Sequence, residues 1–125
     1  MQLVLAIAAG GALGAVSRHF VSGAVSKFAG IGYPYGTFTV NIVGSLFMGL
    51  LITILAHKID VSAQLRSFLT VGFLGSFTTF STYSMETVLL VQRGDWTGAA
   101  LYSVGSLIVG VLALLAGLWL GRLLV

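Results

Sequence analysis

Residues 72–87 form a run of glycine and hydroxyl side chains inside a stretch that is otherwise apolar. Its hydroxyls and glycines are Gly72, Gly75, Ser76, Thr78, Thr79, Ser81, Thr82, Ser84 and Thr87. Both residue types weaken a helix, because glycine lacks a Cβ and hydroxyls compete for backbone carbonyls. At membrane depth such a run is tolerated only where protein or water pairs its backbone groups. The run therefore predicts a helix break beside a permeation path.

A break at residues 75–79 would offer two kinds of ion contact. Its freed carbonyl oxygens suit a cation, as they do in channels and transporters. The new helix N-terminus near Phe80 favours an anion. Phe80 and Tyr83 stand at i and i+3 on one helix face, and their ring edges, which are electropositive, could attract an anion without holding it tightly. Core packing of the two rings is the alternative interpretation.

Composition indicates an integral membrane protein. Hydrophobic residues make up 58% of the 125 positions and charged residues 7%, and the mean hydropathy is +1.08. We predict an all-α protein with one membrane domain over residues 1–125 and four transmembrane helices, the third broken near its middle. The predicted spans are residues 3–26, 37–57, 65–91 and 98–121. The apolar N-terminus is interpreted as the first span because no basic region precedes it.

Several classes of function are disfavoured by the residue inventory. The chain has no cysteine and two isolated histidines, which argues against disulfides, a thiol nucleophile and a side-chain metal centre. Six dispersed basic residues form no cluster that could follow a nucleic-acid backbone. No lysine loop of the nucleotide-binding type is present, so transport would be passive. We predict no enzymatic activity.

Loop charge barely favours one orientation in the membrane. Three basic residues fall on one side of the four predicted spans and two or three on the other: Lys58, Arg66 and Arg122 against Lys27 and Arg93, with Arg18 inside the first span. Cytoplasmic flanks normally carry an excess of Lys and Arg, so this chain could insert both ways. Four short helices also enclose little space without a second copy. We predict an antiparallel dual-topology homodimer; a single orientation fixed by another feature is the alternative.

Three further polar residues lie at predicted membrane depth. Asn41 could donate to an anion or make an interhelical hydrogen bond. Arg18 suits snorkelling or pairing slightly better than direct ion attraction. Glu86 could be a vestibule carboxylate, a proton carrier or the partner of a cation.

Small residues at four-residue spacing predict close helix packing. They are Gly10 with Gly14, Ser45 with Gly49, Ser106 with Gly110, and Gly117 with Gly121.

The chain resembles the Fluc (CrcB) family of fluoride channels over essentially its whole length. The matching motifs are GALGAVSR at 11–18, GTFTVN at 36–41 and GFLGSFTTFSTY at 72–83. The resemblance implies an antiparallel dual-topology homodimer with two fluoride pores and a structural Na⁺ at the two-fold centre. By motif position, backbone carbonyls of Gly75 and Thr78 would bind the Na⁺, and Asn41, Phe80 and Tyr83 would line the pores.

Three positions depart from the family pattern. Tyr83 stands where phenylalanine is common, and the hydroxyl stripe on the fourth helix matches at Tyr102 and Ser106 but lapses at Gly110 and Leu114. Fluoride is small and strongly hydrated, so it needs many hydrogen-bond donors. The candidate donors are Asn41, Thr79, Ser81, Thr82, Tyr102 and Ser106. An interior-negative potential drives anions outward by ~2.3 kcal/mol per charge per 100 mV, which predicts protective export across the inner, or plasma, membrane.

Two rival functions fit the same chain. A small proton-coupled drug transporter of dual topology would share the size and charge balance, but an acidic residue at depth in its first helix is expected and is absent here. A non-transporting assembly subunit would use the polar run only for packing.

Overall fold

The computed structural model describes residues 1–58 and 60–125 as a set of helices. These are α1 (Gln2–Ala29), α2 (Tyr35–His57), α3 (Ala63–Ser67), a π-helix (Phe68–Leu74), α4 (Gly75–Phe77), α5 (Phe80–Gln92) and α6 (Trp96–Leu124). No β-strand occurs in these two ranges, so the all-α prediction is confirmed. By length and composition, α1, α2 and α6 are able to cross a membrane. A fourth crossing stays a prediction, because residues 63–92 form several shorter pieces.

The break in residues 63–92 lies at Thr78 and Thr79. Both have extended backbones, with φ −88° and ψ 159° at Thr78 and φ −150° and ψ 122° at Thr79. β-Branched residues accept this conformation readily, and threonine is a good N-cap. The Thr79 hydroxyl accepts from the Thr82 N–H at 3.3 Å, which starts α5 at Phe80. The break therefore occupies the end of the predicted range.

Glycines bring α1 into backbone contact with the π-helix. A Cβ on Gly10 would overlap the Phe68 carbonyl oxygen, and one on Gly14 would overlap the Phe73 carbonyl oxygen. Since backbone atoms cannot move aside as a flexible side chain can, both positions require glycine for this packing. The contact fixes the first half of the broken segment against α1.

Helices α2 and α6 pack side by side in the same direction. Ser45 lies near Gly110, Gly49 lies against the Leu114 carbonyl, and the contacts advance together along both helices to Thr53 and Gly121. A parallel pair of neighbours requires the chain to return between them, and α5 with the turn at Gly94 does so. The Asp95 carboxylate then caps α6 by accepting from the Gly98 N–H at 2.9 Å.

The buried core of the chain is small and sits beside the turn from α5 to α6. It is built on Leu90, Ala99 and Tyr102, against which Tyr33, Phe38, Tyr83 and Val91 pack. Many large apolar side chains of α1 and α6 remain exposed, among them Leu5, Phe20, Leu112 and Leu123. Exposed apolar surface on this scale indicates contact with lipid or with another protein surface.

Candidate functional site

A cavity of about 220 Å³ lies beside the break, between α2, α5 and α6. We term it the break cavity. Six of the candidate site residues predicted from the sequence line it: Asn41, Thr78, Thr79, Phe80, Tyr83 and Ser106. Ser45, Leu107 and Gly110 complete the wall. The fold thus brings together residues that are far apart in the chain around the interruption of the helix.

Asn41 pairs with both backbone groups of Thr79. Its Nδ2 donates to the Thr79 carbonyl at 3.1 Å, and its Oδ1 accepts from the Thr79 N–H at 2.7 Å. The side chain thereby supplies the partners that a continuous helix would have supplied. Asn41 makes an interhelical hydrogen bond, one of the two roles expected of it, and keeps one amide N–H for another acceptor.

Because Thr79 pairs with Asn41, the Gly75 carbonyl on the other side of the break loses its helical hydrogen-bond donor. In an unbroken helix the Thr79 N–H would donate to the carbonyl of Gly75, four residues earlier. Here it donates to Asn41 Oδ1 instead. The Thr78 carbonyl accepts from Arg18 Nη1 at 3.3 Å. Arg18 is half-buried, and its guanidinium is held against the break from α1.

The two aromatic residues of the break cavity differ in exposure and in bonding. Phe80 is 76% exposed, and its ring centroid lies 5.7 Å from that of Tyr83, with a tilt of 35°. The Tyr83 hydroxyl donates to the Ser103 carbonyl at 2.7 Å. That hydroxyl therefore ties α5 to α6. The Tyr83 ring also packs on Tyr102, with centroids 5.5 Å apart.

Glu86 is held by two hydroxyls from two different helices. Thr37 Oγ1 donates to Oε1 at 2.9 Å, and the Tyr102 hydroxyl donates to Oε2 at 2.8 Å. Tyr102 is only 2% exposed, and its bond to Glu86 is partly buried at the edge of the core. The Tyr102 hydroxyl is a predicted donor to an anion, and in the structure it donates to the Glu86 carboxylate.

Glu86 also borders a larger cavity of about 470 Å³ near the α1–α2 loop, which we term the outer cavity. Arg93 lines it and donates to the Gly32 carbonyl at 2.8 Å. Tyr33 lines it too, and its hydroxyl donates to the Gly98 carbonyl at 2.7 Å. Burial, and then the negative charge of Asp95, raise the pKa of the Tyr33 hydroxyl.

A third cavity, of about 360 Å³, lies on the α1 side of the break. Arg18, Thr79 and Thr82 line it, and Thr79 Oγ1 donates to Thr82 Oγ1 at 3.1 Å. Thr79 borders both this cavity and the break cavity. Ser81 is exposed and lines none of the three cavities described here.

Sequence reasoning missed part of the polar surface that α2 contributes. The facing positions of α2 and α6, which we term the polar seam, are Thr37, Asn41 and Ser45 on α2 and Tyr102, Ser106 and Gly110 on α6. Each set is spaced by four residues, which places its members on one helix face. The four-residue spacing on α2 is visible in the sequence, but the pattern of small residues there predicts only packing for Ser45, and no motif points to a role for Thr37. Only the fold shows that the two faces meet.

Comparison with known proteins places the chain among channel sequences. The family model described as CrcB-like protein, Camphor Resistance (CrcB), matches residues 5–118. Proteins named fluoride-specific ion channel FluC are 46% identical in Caulobacter vibrioides and 41% identical in Maridesulfovibrio salexigens. The first alignment covers 98% of this chain and 97% of the Caulobacter protein. The second covers 100% of this chain and 99% of the Maridesulfovibrio protein. The resemblance drawn from the motifs is confirmed, and these relatives are named as ion channels and not as enzymes.

Replacing Asn41 by leucine should destabilise the protein, because the Thr79 N–H and carbonyl both lose their partner. Each unpaired backbone group costs about 1–3 kcal/mol, so a fall of several degrees in the melting temperature of the purified protein in detergent is expected. Thr39→Val is the matched control, since the Thr39 hydroxyl donates to the Tyr35 carbonyl of its own helix and is exposed. Equal melting temperatures for Asn41→Leu and wild type would contradict the role of Asn41 at the break.

Proposed function

Because the chain belongs to the CrcB family, we propose that it is a fluoride-specific ion channel that exports fluoride passively and protects the cell from it. The observation that carries the proposal is the 46% identity, over 98% of the chain, to a protein named for that activity. The break cavity supports it, since it places hydrogen-bond donors beside an exposed aromatic ring. Fluoride requires hydrogen-bond donors on its path, because the water molecules of its hydration shell must be replaced by donors from the protein.

We propose the break cavity as part of the fluoride path. Ser106 is buried, and within the described ranges its hydroxyl has no hydrogen-bond partner. An unpaired buried hydroxyl is costly unless a ligand or water completes it. Asn41 adds its free amide N–H, and Phe80 adds a ring whose edge is electropositive. The three groups suit a small anion that must be bound weakly enough to leave.

The remaining candidate donors are less ready to bind. Tyr102 donates to Glu86 and Thr79 donates to Thr82, so each would first exchange an existing hydrogen bond for the ion. Thr82 and Arg18 face the third cavity, which would serve as an approach to the break from α1. Ser81 is exposed, and it would contact the ion only across a surface contributed by another copy.

We propose that the functional unit is an antiparallel dual-topology homodimer in the cytoplasmic membrane, with residues 63–92 as the fourth crossing. Near-equal loop charge supports both orientations. The exposure of Phe80 supports a second copy, because a pore-lining ring at membrane depth needs a protein wall opposite it. The apolar outer faces of α1 and α6 offer surface for lipid and for the partner.

We further propose a structural Na⁺ bound by the backbone carbonyls of Gly75 and Thr78 from both copies. Carbonyl oxygen is a hard ligand that suits such a cation. The residues fit such an ion. The Gly75 carbonyl has no helical donor, because the Thr79 N–H donates to Asn41 instead, and the Thr78 carbonyl lies on extended backbone. Arg18 takes one lone pair of the Thr78 oxygen and leaves the other. The ion would join the two breaks by offsetting the partial charge of their carbonyls.

Dual topology predicts that both orientations occur in one membrane. A topology reporter fused to the C-terminus should give signal from both sides, because the basic residues are nearly equally divided. Adding three lysines to the segment between α2 and α3 should force one orientation and serves as the control. Signal from a single side in the wild type would rule out this assembly.

Sodium should stabilise the purified protein if backbone carbonyls bind it. The melting temperature is expected to be higher in NaCl than in N-methylglucamine chloride, since a ligand that binds only the folded state stabilises that state. Thr78→Ser should keep the difference, because the proposed ligand is the backbone and the serine hydroxyl can repeat the bond from Thr78 Oγ1 to the Leu74 carbonyl. The Na⁺ site would be abandoned if wild type melted at the same temperature in both salts.

Conduction predicts that liposomes loaded with fluoride lose it once valinomycin provides a K⁺ path, while chloride-loaded liposomes do not. The ionophore is required because an electrogenic path stalls at its own diffusion potential, whereas electroneutral proton–anion cotransport does not. Phe80→Ile should slow efflux by roughly 2–10-fold through loss of the ring edge. Asn41→Asp should slow it by more than about tenfold, because a carboxylate repels the anion and cannot donate to the Thr79 carbonyl.

Phe20→Ile is the matched control for the ring substitution, since Phe20 is 68% exposed on α1 and lines none of the three cavities. Its efflux rate should equal that of wild type. Absent fluoride efflux, or equal rates for fluoride and chloride, would refute the channel and reopen the transporter and assembly-subunit alternatives.

A further inference from the structure

Ser45 is a polar residue of the break cavity with no role in the proposed path. It lies four residues after Asn41 on α2, about 6 Å further along the helix axis, and lines the cavity with Ser106. Helical serines often donate back to the carbonyl four residues earlier. The Ser45 hydroxyl makes no such bond, nor any other to a residue of the described ranges, so its proton is available.

Gly110 gives the Ser45 hydroxyl space on the facing helix. A Cβ built on Gly110 would lie 3.8 Å from Ser45 Oγ and 3.8 Å from Ile42 Cδ1, which is ordinary van der Waals contact. Ser106 and Gly110 are one helical turn apart on the same face of α6. At the level of Gly110, where α6 offers no side chain, the hydroxyl across the seam belongs to α2.

Beyond Ser45 the seam is closed. Gly49 lies directly against the Leu114 carbonyl, and Gly117 lies directly against the Leu46 carbonyl, so no ion fits between the helices there. The next hydroxyl along α2, that of Thr53, is directed to the carbonyls of Gly49 and Leu118 at 3.2 and 3.3 Å. Ser45 is therefore the last hydroxyl of the polar seam that borders a cavity.

We propose that Ser45 is an ion-contacting residue, whose hydroxyl donates to the anion at the closed end of the break cavity. This proposal rests on the proposed fluoride conduction. Ser106 and Ser45 stand at successive levels of the seam, so an anion moving between them gains one donor as it loses the other. The hydroxyl on α2 takes the place of a side chain that α6 lacks at Gly110.

Deleting the Ser45 hydroxyl tests this role in the liposome assay. Ser45→Ala should slow fluoride efflux by about tenfold, the effect of one lost hydrogen bond to a charged group. Ser103→Ala is the matched control, because the Ser103 hydroxyl donates weakly to the Ala100 carbonyl of its own helix and lies outside the break cavity. Its efflux rate should be that of wild type.

A hydroxyl placed on the facing helix distinguishes two causes of slower efflux in Ser45→Ala, the loss of a contact to the ion and a change in helix packing. The double variant Ser45→Ala with Gly110→Ser should recover most of the wild-type rate, since the built Cβ at Gly110 meets no steric obstacle. Recovery would support the role, whereas a double variant as slow as Ser45→Ala would overturn it. A conducting wild type whose Ser45→Ala variant is equally fast would overturn the role of Ser45 alone. A wild type that does not conduct would overturn the channel and this role with it.

Discussion

The pairing of Asn41 with Thr79 is the interaction on which the site depends. A helix cannot be interrupted at membrane depth unless the N–H and carbonyl groups that it frees are paired elsewhere. One asparagine amide satisfies both groups of Thr79, at 2.7 and 3.1 Å. Without that substitute the Thr79 N–H and carbonyl would be left unpaired, and the break that precedes the start of α5 at Phe80 would lose its main stabilising contact.

Glycine contacts decide where this pairing can occur. The backbone contacts of Gly49 and Gly117 set the register of α2 against α6, and the contacts of Gly10 and Gly14 hold the π-helix on α1. Because these contacts involve main-chain atoms, they leave little freedom to slide. Asn41 is thereby held at the level of Thr79, and the same register closes the seam beyond Ser45.

Most polar side chains near the break are already bonded to protein. Tyr83 donates to Ser103, Tyr102 to Glu86 and Thr79 to Thr82. These hydroxyls therefore form hydrogen bonds within the protein and are not free to donate to a ligand. Among the residues that line the break cavity, the side-chain donors without a partner in the described ranges are those of Ser45 and Ser106 and one N–H of Asn41. A few neutral donors and a ring edge stabilise an anion less than a free guanidinium would, which favours passage over retention. Arg18, the cation beside the break, is itself engaged with the Thr78 carbonyl.

The sequence alone determined the all-α class, three helices that are long and apolar enough to cross a membrane, the family and the presence of a break, because these follow from composition, local propensity and a specific motif. It also identified six of the residues that line the break cavity as candidate site residues. Tertiary structure decided how their donors are used, since that depends on the register between helices distant in the chain. The partner of Asn41, the attachment of the Tyr83 hydroxyl to α6, the bond from Tyr102 to Glu86 and the position of Ser45 opposite Gly110 all follow from that register. Local patterns carry no information about it, because a helix shows which residues share a face but not which face of another helix it will meet.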